Sequence, residues 1–280
     1  MNTQTYNNNS RQVALKTLWG ASAMPFEAAA KKTFKWDHFN QIHQRLQQLV
    51  SLKSSGVLTG AHGVGKSYLI HQFIESLNAK LYKSIVLCHS SLSGNGLIRA
   101  LCKSLQLPPR LTQAHNIAGL HQCWKDILPQ WPILILEEAQ NLTPSALEEI
   151  RLLTCQNLDT APAFSLIIVG DDHLMPRLMM GINTALFSRL SFCMRLSSFD
   201  QTLVSQYIQT RLSEVALNND PFDPQAIHLI AQASKGAART INHLAQAAME
   251  KAASQNAQII TCEHIQWAID QMPWLTVIHE

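Results

Sequence analysis

The stretch SSGVLTGAHGVGKSYLIHQFI, residues 54–74, decides the fold. Within it Gly60, Ala61, His62, Gly63, Val64, Gly65, Lys66 and Ser67 spell GAHGVGKS. That satisfies the phosphate-binding pattern G-x-x-x-x-G-K-[ST] at every fixed position. Glycines let the backbone wrap around phosphates with its N–H groups pointing inward, where a side chain would stand in the way. Lys66 is expected to reach the β- and γ-phosphates, and the Ser67 hydroxyl to sit on Mg²⁺. Gly56-Val57-Leu58-Thr59 reads as a short buried strand leading into the loop, and Ser67 to Leu77 has helical spacing. The stretch therefore predicts a site for a nucleoside triphosphate.

Composition is consistent with a globular chain around such a site. The 280 residues are 46% hydrophobic and 15% charged, which suits a packed core rather than disorder. No apolar run has the length of a membrane span, and the N-terminal MNTQTYNNNSRQ lacks the apolar core of a signal peptide. The expected location is the cytoplasm. Six scattered cysteines contain no C-x-x-C pair, so neither a disulfide framework nor a zinc site is indicated. Net charge is +3, but its distribution is uneven. No acid occurs between Glu75 and Asp126, whereas Lys80, Lys83, Arg99, Lys103, Arg110 and Lys125 all fall there. Such a segment either faces a polyanion or carries ordinary solvated helix charges.

Strand-like and helical segments alternate up to about residue 196. Expected strands lie at 56–59, 81–88, 132–138, 163–170 and 192–196. Expected helices lie around 13–18 and at 37–52, 67–77, 97–105 (after HSSLSGNG, residues 89–96, which carries turn chemistry), 116–128, from Thr143-Pro144 onward, and at 172–180. This alternation predicts an open parallel α/β sheet flanked by helices. From Asp200 the pattern becomes purely helical, over 201–216, 223–233, 237–253 and 261–272. The expected domains are an N-terminal arm and short element (1–36), an α/β nucleotide-binding domain (37–198) and a small helical lid (199–280).

The chemistry expected around the loop follows the strand ends. A phosphate-binding loop needs a neighbouring carboxylate for Mg²⁺, and usually a second one to polarise the attacking water. Glu137 and Glu138, directly after Ile133-Leu134-Ile135-Leu136, supply that pair. Adjacent strand residues point to opposite faces, so both acids can approach the phosphates only if the chain bends there. Asp171 ends the fourth strand, beside the expected γ-phosphate position. Arg189 precedes the fifth strand, where a guanidinium could reach the triphosphate of a neighbouring subunit. Arg239 follows Lys235-Gly236 at the start of a lid helix.

The ordered set of GAHGVGKS, LILEEAQNL, VGDDHL, FSRL and SKGAARTINHL resembles the ExeA-like branch of the AAA+ ATPases. It also resembles the related TnsC–TniB transposition regulators, over Trp19 to Met272. The resemblance implies a P-loop fold with a five-stranded sheet and a helical lid, using ATP and Mg²⁺. It implies nucleotide binding by Gly60 to Ser67, with Tyr68 beside them, and a metal held by Ser67 and Glu137. Glu138 becomes the catalytic base, Asp171 the sensor 1 residue, Arg189 the arginine finger and Arg239 sensor 2. The element WGASAMPF is implied to pack near the adenine.

Two positions depart from the family pattern. Glu137 replaces the usual Asp, and Asp171 replaces a neutral polar residue, so it must be protonated, turn away or help bind metal. The implied function is an ATP-dependent regulator that forms rings or helical filaments on double-stranded DNA. It would direct a transposase, together with a target-selection protein. Lys83, Ser90, Ser91, Asn95, Arg99 and Lys103 are the expected DNA contacts. Two alternatives remain: an ExeA-like ATPase of an envelope transport or secretion assembly, and a nucleotide switch with little turnover.

Overall fold

The structure is a computed structural model that describes residues 18–26, 34–88, 92–154, 162–217 and 220–276. It divides into two compact units, one of Asp37–Ser197 and one that joins Met1–Trp36 to Ser198–Glu280. The expected helix at 13–18 falls almost entirely outside the described residues.

The first unit is built on five parallel strands: β1 (Gly56–Thr59), β2 (Tyr82–Leu87), β3 (Trp131–Leu136), β4 (Ser165–Val169) and β5 (Phe192–Arg195). Their order across the sheet is β2-β3-β4-β1-β5. The inner strands are mostly apolar and buried almost throughout because both of their faces are covered. Leu134, Leu136, Leu166, Ile168 and Val57 share one buried cluster. Ile133, Ile135, Ile167 and Leu58, one residue out of phase, are equally buried. The edge strand β2 alternates only in its second half, where exposed Val86 separates buried Ile85 and Leu87, and Lys83 near its start is exposed.

Helices α1 (Asp37–Ser51), α2 (Lys66–Ser76), α3 (Gly94–Ser104), α4 (Gln113–Asp126) and α5 (Pro144–Thr154) complete the unit, with shorter α6 (Leu174–Leu178) and α7 (Thr184–Phe187). Several ends differ from the sequence expectation for identifiable reasons. Helix α3 begins three residues early because Ser93 caps it, its Oγ accepting from the Gly96 N–H at 3.2 Å. Gly94 and Gly96, read as turn residues, therefore lie inside the first turn. Thr112 caps α4 in the same way through the His115 N–H, so that helix also starts early. The helix expected at 172–180 shortens to α6 and is followed by a 3₁₀ turn at Gly181–Asn183 before α7.

The second unit contains α8 (Gln201–Ser213), α9 (Pro224–Ser234), α10 (Ala238–Ser254), α11 (Cys262–Asp270) and α12 (Pro273–Thr276). Asp200 and Asp223 cap α8 and α9, and Pro224 occupies the first turn of α9. Val204, Ile208, Ile230, Ile241, Leu244 and Ile265 form its core. Ala21, Met24 and Phe26 of the WGASAMPF element belong to this same core, with Phe26 edge-on to Phe222. Gly236 lies at φ +72°, and a Cβ there would stand 2.0 Å from the Phe199 carbonyl oxygen. Only glycine fits that turn. Among the described residues, no helix is long and apolar enough to cross a membrane.

Gly56 tests the packing of β1 against β5 and α1. A Cβ added there would meet the Phe192 carbonyl oxygen at 2.5 Å and Leu49 Cδ1 at 2.7 Å. Gly56→Ala is expected to destabilise the protein by about 1–3 kcal/mol in urea unfolding. Gly119→Ala, on α4 with no atom within 4 Å of the new Cβ, is the control. It is expected to be neutral or to stabilise by up to about 1 kcal/mol.

Candidate functional site

Three strand ends meet at one edge of the sheet. Strand β4 lies between β3 and β1, so the segments that leave these strands stand side by side. In open α/β sheets this carboxyl edge is where ligands bind. Thr59 ends β1, and the next residue turns hard against the chain beyond β5. A Cβ on Gly60 would stand 2.5 Å from the Leu196 carbonyl oxygen, and the Leu196 N–H donates to the Thr59 carbonyl at 2.8 Å. Gly63 and Gly65 then take left-handed conformations, at φ +76° and +102°. The loop ends at Gly65, the N-cap of α2, and no side chain caps that helix. An uncapped helix start behind a glycine loop is a ready site for an anion.

Side chains along the loop divide by burial. Val64 and Lys66 are buried, Tyr68 is half-buried against Phe39, and Ala61, His62 and Ser67 are exposed. The Lys66 ammonium donates to the Gly60 carbonyl at 2.8 Å and the Ala61 carbonyl at 3.0 Å, inside the loop it belongs to.

The two acids after β3 separate because the chain bends between them. Strand β3 ends at Leu136, the Glu137 N–H still donates to the Leu87 carbonyl, and Glu138 turns left-handed at φ +53°. The Ser67 hydroxyl donates to Glu137 Oε2 at 2.7 Å. This pair of oxygens is the donor chemistry that suits a hard divalent cation, which takes one or two carboxylates and completes its shell with phosphate and water. Glu138 accepts from Gln140 Nε2 at 2.8 Å. Gln140 Oε1 in turn accepts the Asp171 N–H at 3.2 Å, and the Arg177 guanidinium donates to the carbonyls of Gln140 and Leu142.

Asp171 is 5% exposed. Its Oδ1 accepts the His173 N–H at 2.9 Å, and its Oδ2 lies 3.0 Å from His62 Nε2. Both carboxylate oxygens are thus engaged by nitrogen, a solution absent from the alternatives read in the sequence. Asp172, next in the chain, pairs with Arg195 at 3.2 Å. Sequence reasoning assigned no role to His62 beyond its place in the loop and missed Gln140, Arg177 and Arg195. Only Gln140 left a signal, its position two residues after the second acid.

Among the described residues, the remaining expected ones have no hydrogen bond or ion pair with this network's members. Arg189 follows α7, is exposed, and donates to the Ala185 carbonyl of that helix. Arg239 is the exposed second residue of α10 in the helical unit. Asn95, Arg99 and Lys103 are all exposed on α3 at successive spacings of four, which places them in one stripe. Lys83 is exposed on the edge strand β2. Ser90 and Ser91 lie outside the described residues.

Comparison with known proteins agrees with this geometry. Residues 48–178 match a family model described as AAA domain. Over 197 residues, 69% of its length, the chain is 25% identical to the general secretion pathway protein A of Aeromonas hydrophila and spans 36% of that relative. It is similar to the Aeropyrum pernix ORC2 protein in its ADPNP–ADP complexes, with TM-score 0.66 and 14% identity, covering 88% of this chain and 70% of that one. It is similar also to the Aeropyrum pernix ORC1 protein in complex with DNA, with TM-score 0.62 and 17% identity, covering 94% and 69%. The parallel five-stranded sheet flanked by helices is the fold of the AAA+ P-loop NTPases.

Cys88, one residue beyond β2, reports on the two acids. Partial burial pushes its thiol up from the ordinary value, and the charges of Glu137 and Glu138 push in the same direction. The thiolate is the reactive form, so a raised thiol is alkylated slowly at neutral pH. Glu137→Gln or Glu138→Gln removes a negative charge, lowers the thiol and is expected to speed iodoacetamide labelling of Cys88. Peptide mass spectrometry reads the rate at this cysteine alone. An unchanged rate in both variants would show that the acids do not face it.

Proposed function

We propose that this chain is an ATP-dependent, DNA-binding AAA+ regulator that oligomerises on duplex DNA and directs a transposase to its target. The observation that carries the nucleotide part is the convergence at the sheet edge. The glycine loop, the Ser67–Glu137 oxygen pair and Glu138 meet where β1, β4 and β3 end. In this reading Mg²⁺, held by Ser67 and Glu137, neutralises phosphate charge when bound. The N–H groups of Gly60 to Ser67 bind phosphates, and Lys66 exchanges its loop carbonyls for phosphate oxygens. Tyr68 flanks the nucleotide, Glu138 takes up a proton from the attacking water, and Asp171 stands beside the terminal phosphate.

Among the described residues Arg189 donates to the preceding helix α7 and is otherwise exposed, as a residue serving a neighbouring copy's site would be. Arg239 is proposed to sense the terminal phosphate from the helical unit. The DNA part is supported by the exposed stripe of Asn95, Arg99 and Lys103 within an acid-free stretch. Backbone-directed cations of this kind hold phosphates without reading sequence.

A second reading, an ATPase of a secretion assembly, is favoured by the likeness to general secretion pathway protein A. The two separate on DNA binding. A switch with little turnover separates from both when phosphate release is compared with nucleotide affinity.

Lys66→Ala is expected to lose ATP binding in a fluorescent-nucleotide titration. Arg189→Ala is expected to retain the affinity and lose phosphate release by about 10³-fold or more. Equal loss of both in Arg189→Ala would remove the arginine finger from the mechanism.

Duplex DNA is expected to bind with an ATP analogue at low salt, with little dependence on sequence. Replacing Arg99 and Lys103 together by Ala is expected to reduce the salt slope of binding by about 2. Absence of binding by the parent protein under these conditions would leave the secretion reading standing.

A further inference from the structure

The acid at Asp171 poses an electrostatic problem for the nucleotide reading above. A carboxylate shielded from water beside a polyphosphate repels it, and burial weakens the screening that would relieve the repulsion. Asp171 has a side chain only 7% exposed, and it is flanked by the phosphate-binding loop on one side and by Gln140, the partner of Glu138, on the other.

Three cations of this unit have partners other than Asp171. Lys66 is turned onto the Gly60 and Ala61 carbonyls, Arg177 onto the Gln140 and Leu142 carbonyls, and Arg195 onto Asp172. The group that reaches the Asp171 carboxylate from across the cleft is His62 Nε2, at 3.0 Å. The His62 side chain is 68% exposed and sits in the loop itself. It can therefore hold the acid while its other face meets solvent or ligand.

We propose that His62 is a positioning residue for the terminal phosphate. By clamping the Asp171 carboxylate, it lets an acid stand at the end of β4 without expelling a triphosphate, so that preference for ATP over ADP depends on the His62–Asp171 pair. The inference rests on the nucleotide reading. Its logic is local, because a charge at this position opposes a third phosphate more than the first two. Without the imidazole, Asp171 keeps one backbone donor, from His173, and presents a bare Oδ2 to the cleft.

The test is a double-mutant cycle on the full chain, with Mg²⁺ and fluorescent analogues of ATP and ADP. His62→Ala is expected to weaken ATP binding about tenfold or more relative to ADP. Asp171→Asn retains the acceptor for the His173 N–H and removes the charge. Placed in the His62→Ala background, it is expected to restore the ATP-to-ADP ratio to within about threefold of the parent. The unfolding midpoints of the nucleotide-free variants check that both remain folded.

A His62→Ala variant that loses both nucleotides equally, or that Asp171→Asn does not rescue, overturns the proposal and leaves His62 as part of the loop's shape. An unchanged ratio in His62→Ala overturns it as well. A parent protein that binds neither nucleotide overturns the nucleotide reading itself, a distinct result from any outcome of the cycle.

Discussion

A hydroxyl on the first turn of α2 donates to a carboxylate just past β3, and this 2.7 Å contact between Ser67 and Glu137 fixes what the sheet must be. The two residues leave strands that are not neighbours. Strand β4 lies between them, paired to β3 through Leu136 and Ile168 and to β1 through Leu58 and Val169. Those registers bring the three strands to an end at nearly the same level. A slip of one residue in either pairing would turn every side chain of the slipped strand to the other face and pull the oxygens apart. The continuous apolar burial of β3 and β4 holds the register. The hydrophobic core is in this sense what places the polar site.

Each acid at the sheet edge has its own partner. Glu137 is held by Ser67, Glu138 by Gln140, Asp171 by His62 and the His173 N–H, and Asp172 by Arg195. A cleft built to receive a polyanion cannot present bare carboxylates in numbers, because their mutual repulsion and that of the ligand would add. Distribution over separate donors solves this without neutralising the site by burial. It also gives the acids different surroundings. Glu137 faces a hydroxyl oxygen and has lone pairs to share with a cation, whereas Glu138 faces an amide that holds it in one orientation.

Much of the fold was legible in the chain, and the illegible parts have specific causes. The loop at 60–67 and the strand leading into it followed from glycine spacing and from apolar runs, whose physics is local. The bend at Glu138 was legible only as a requirement, since the left-handed conformation that meets it has no residue signature beyond its place at a strand end. Helix α3 began early because a single serine, Ser93, outweighed two glycines that read as a turn. The His62–Asp171 contact was hidden for a different reason. Its partners come together through the order β4-β1, and strand order is a property of the packed sheet that periodicity along the chain does not carry.

Gln140 shows why these contacts act as one unit. Its amide nitrogen holds Glu138, its amide oxygen takes the Asp171 N–H, and its carbonyl is fixed by Arg177 from α6. Gly170 leaves no room beside it, since a Cβ there would stand 2.8 Å from Gln140 Oε1. Glu138 therefore cannot leave Gln140 without freeing an amide whose other end is tied to the backbone of Asp171, and Asp171 is tied to the loop through His62. The loop and Glu138 are thus linked by hydrogen bonds whose donors and acceptors are already paired, and a half-satisfied network of this kind is costly.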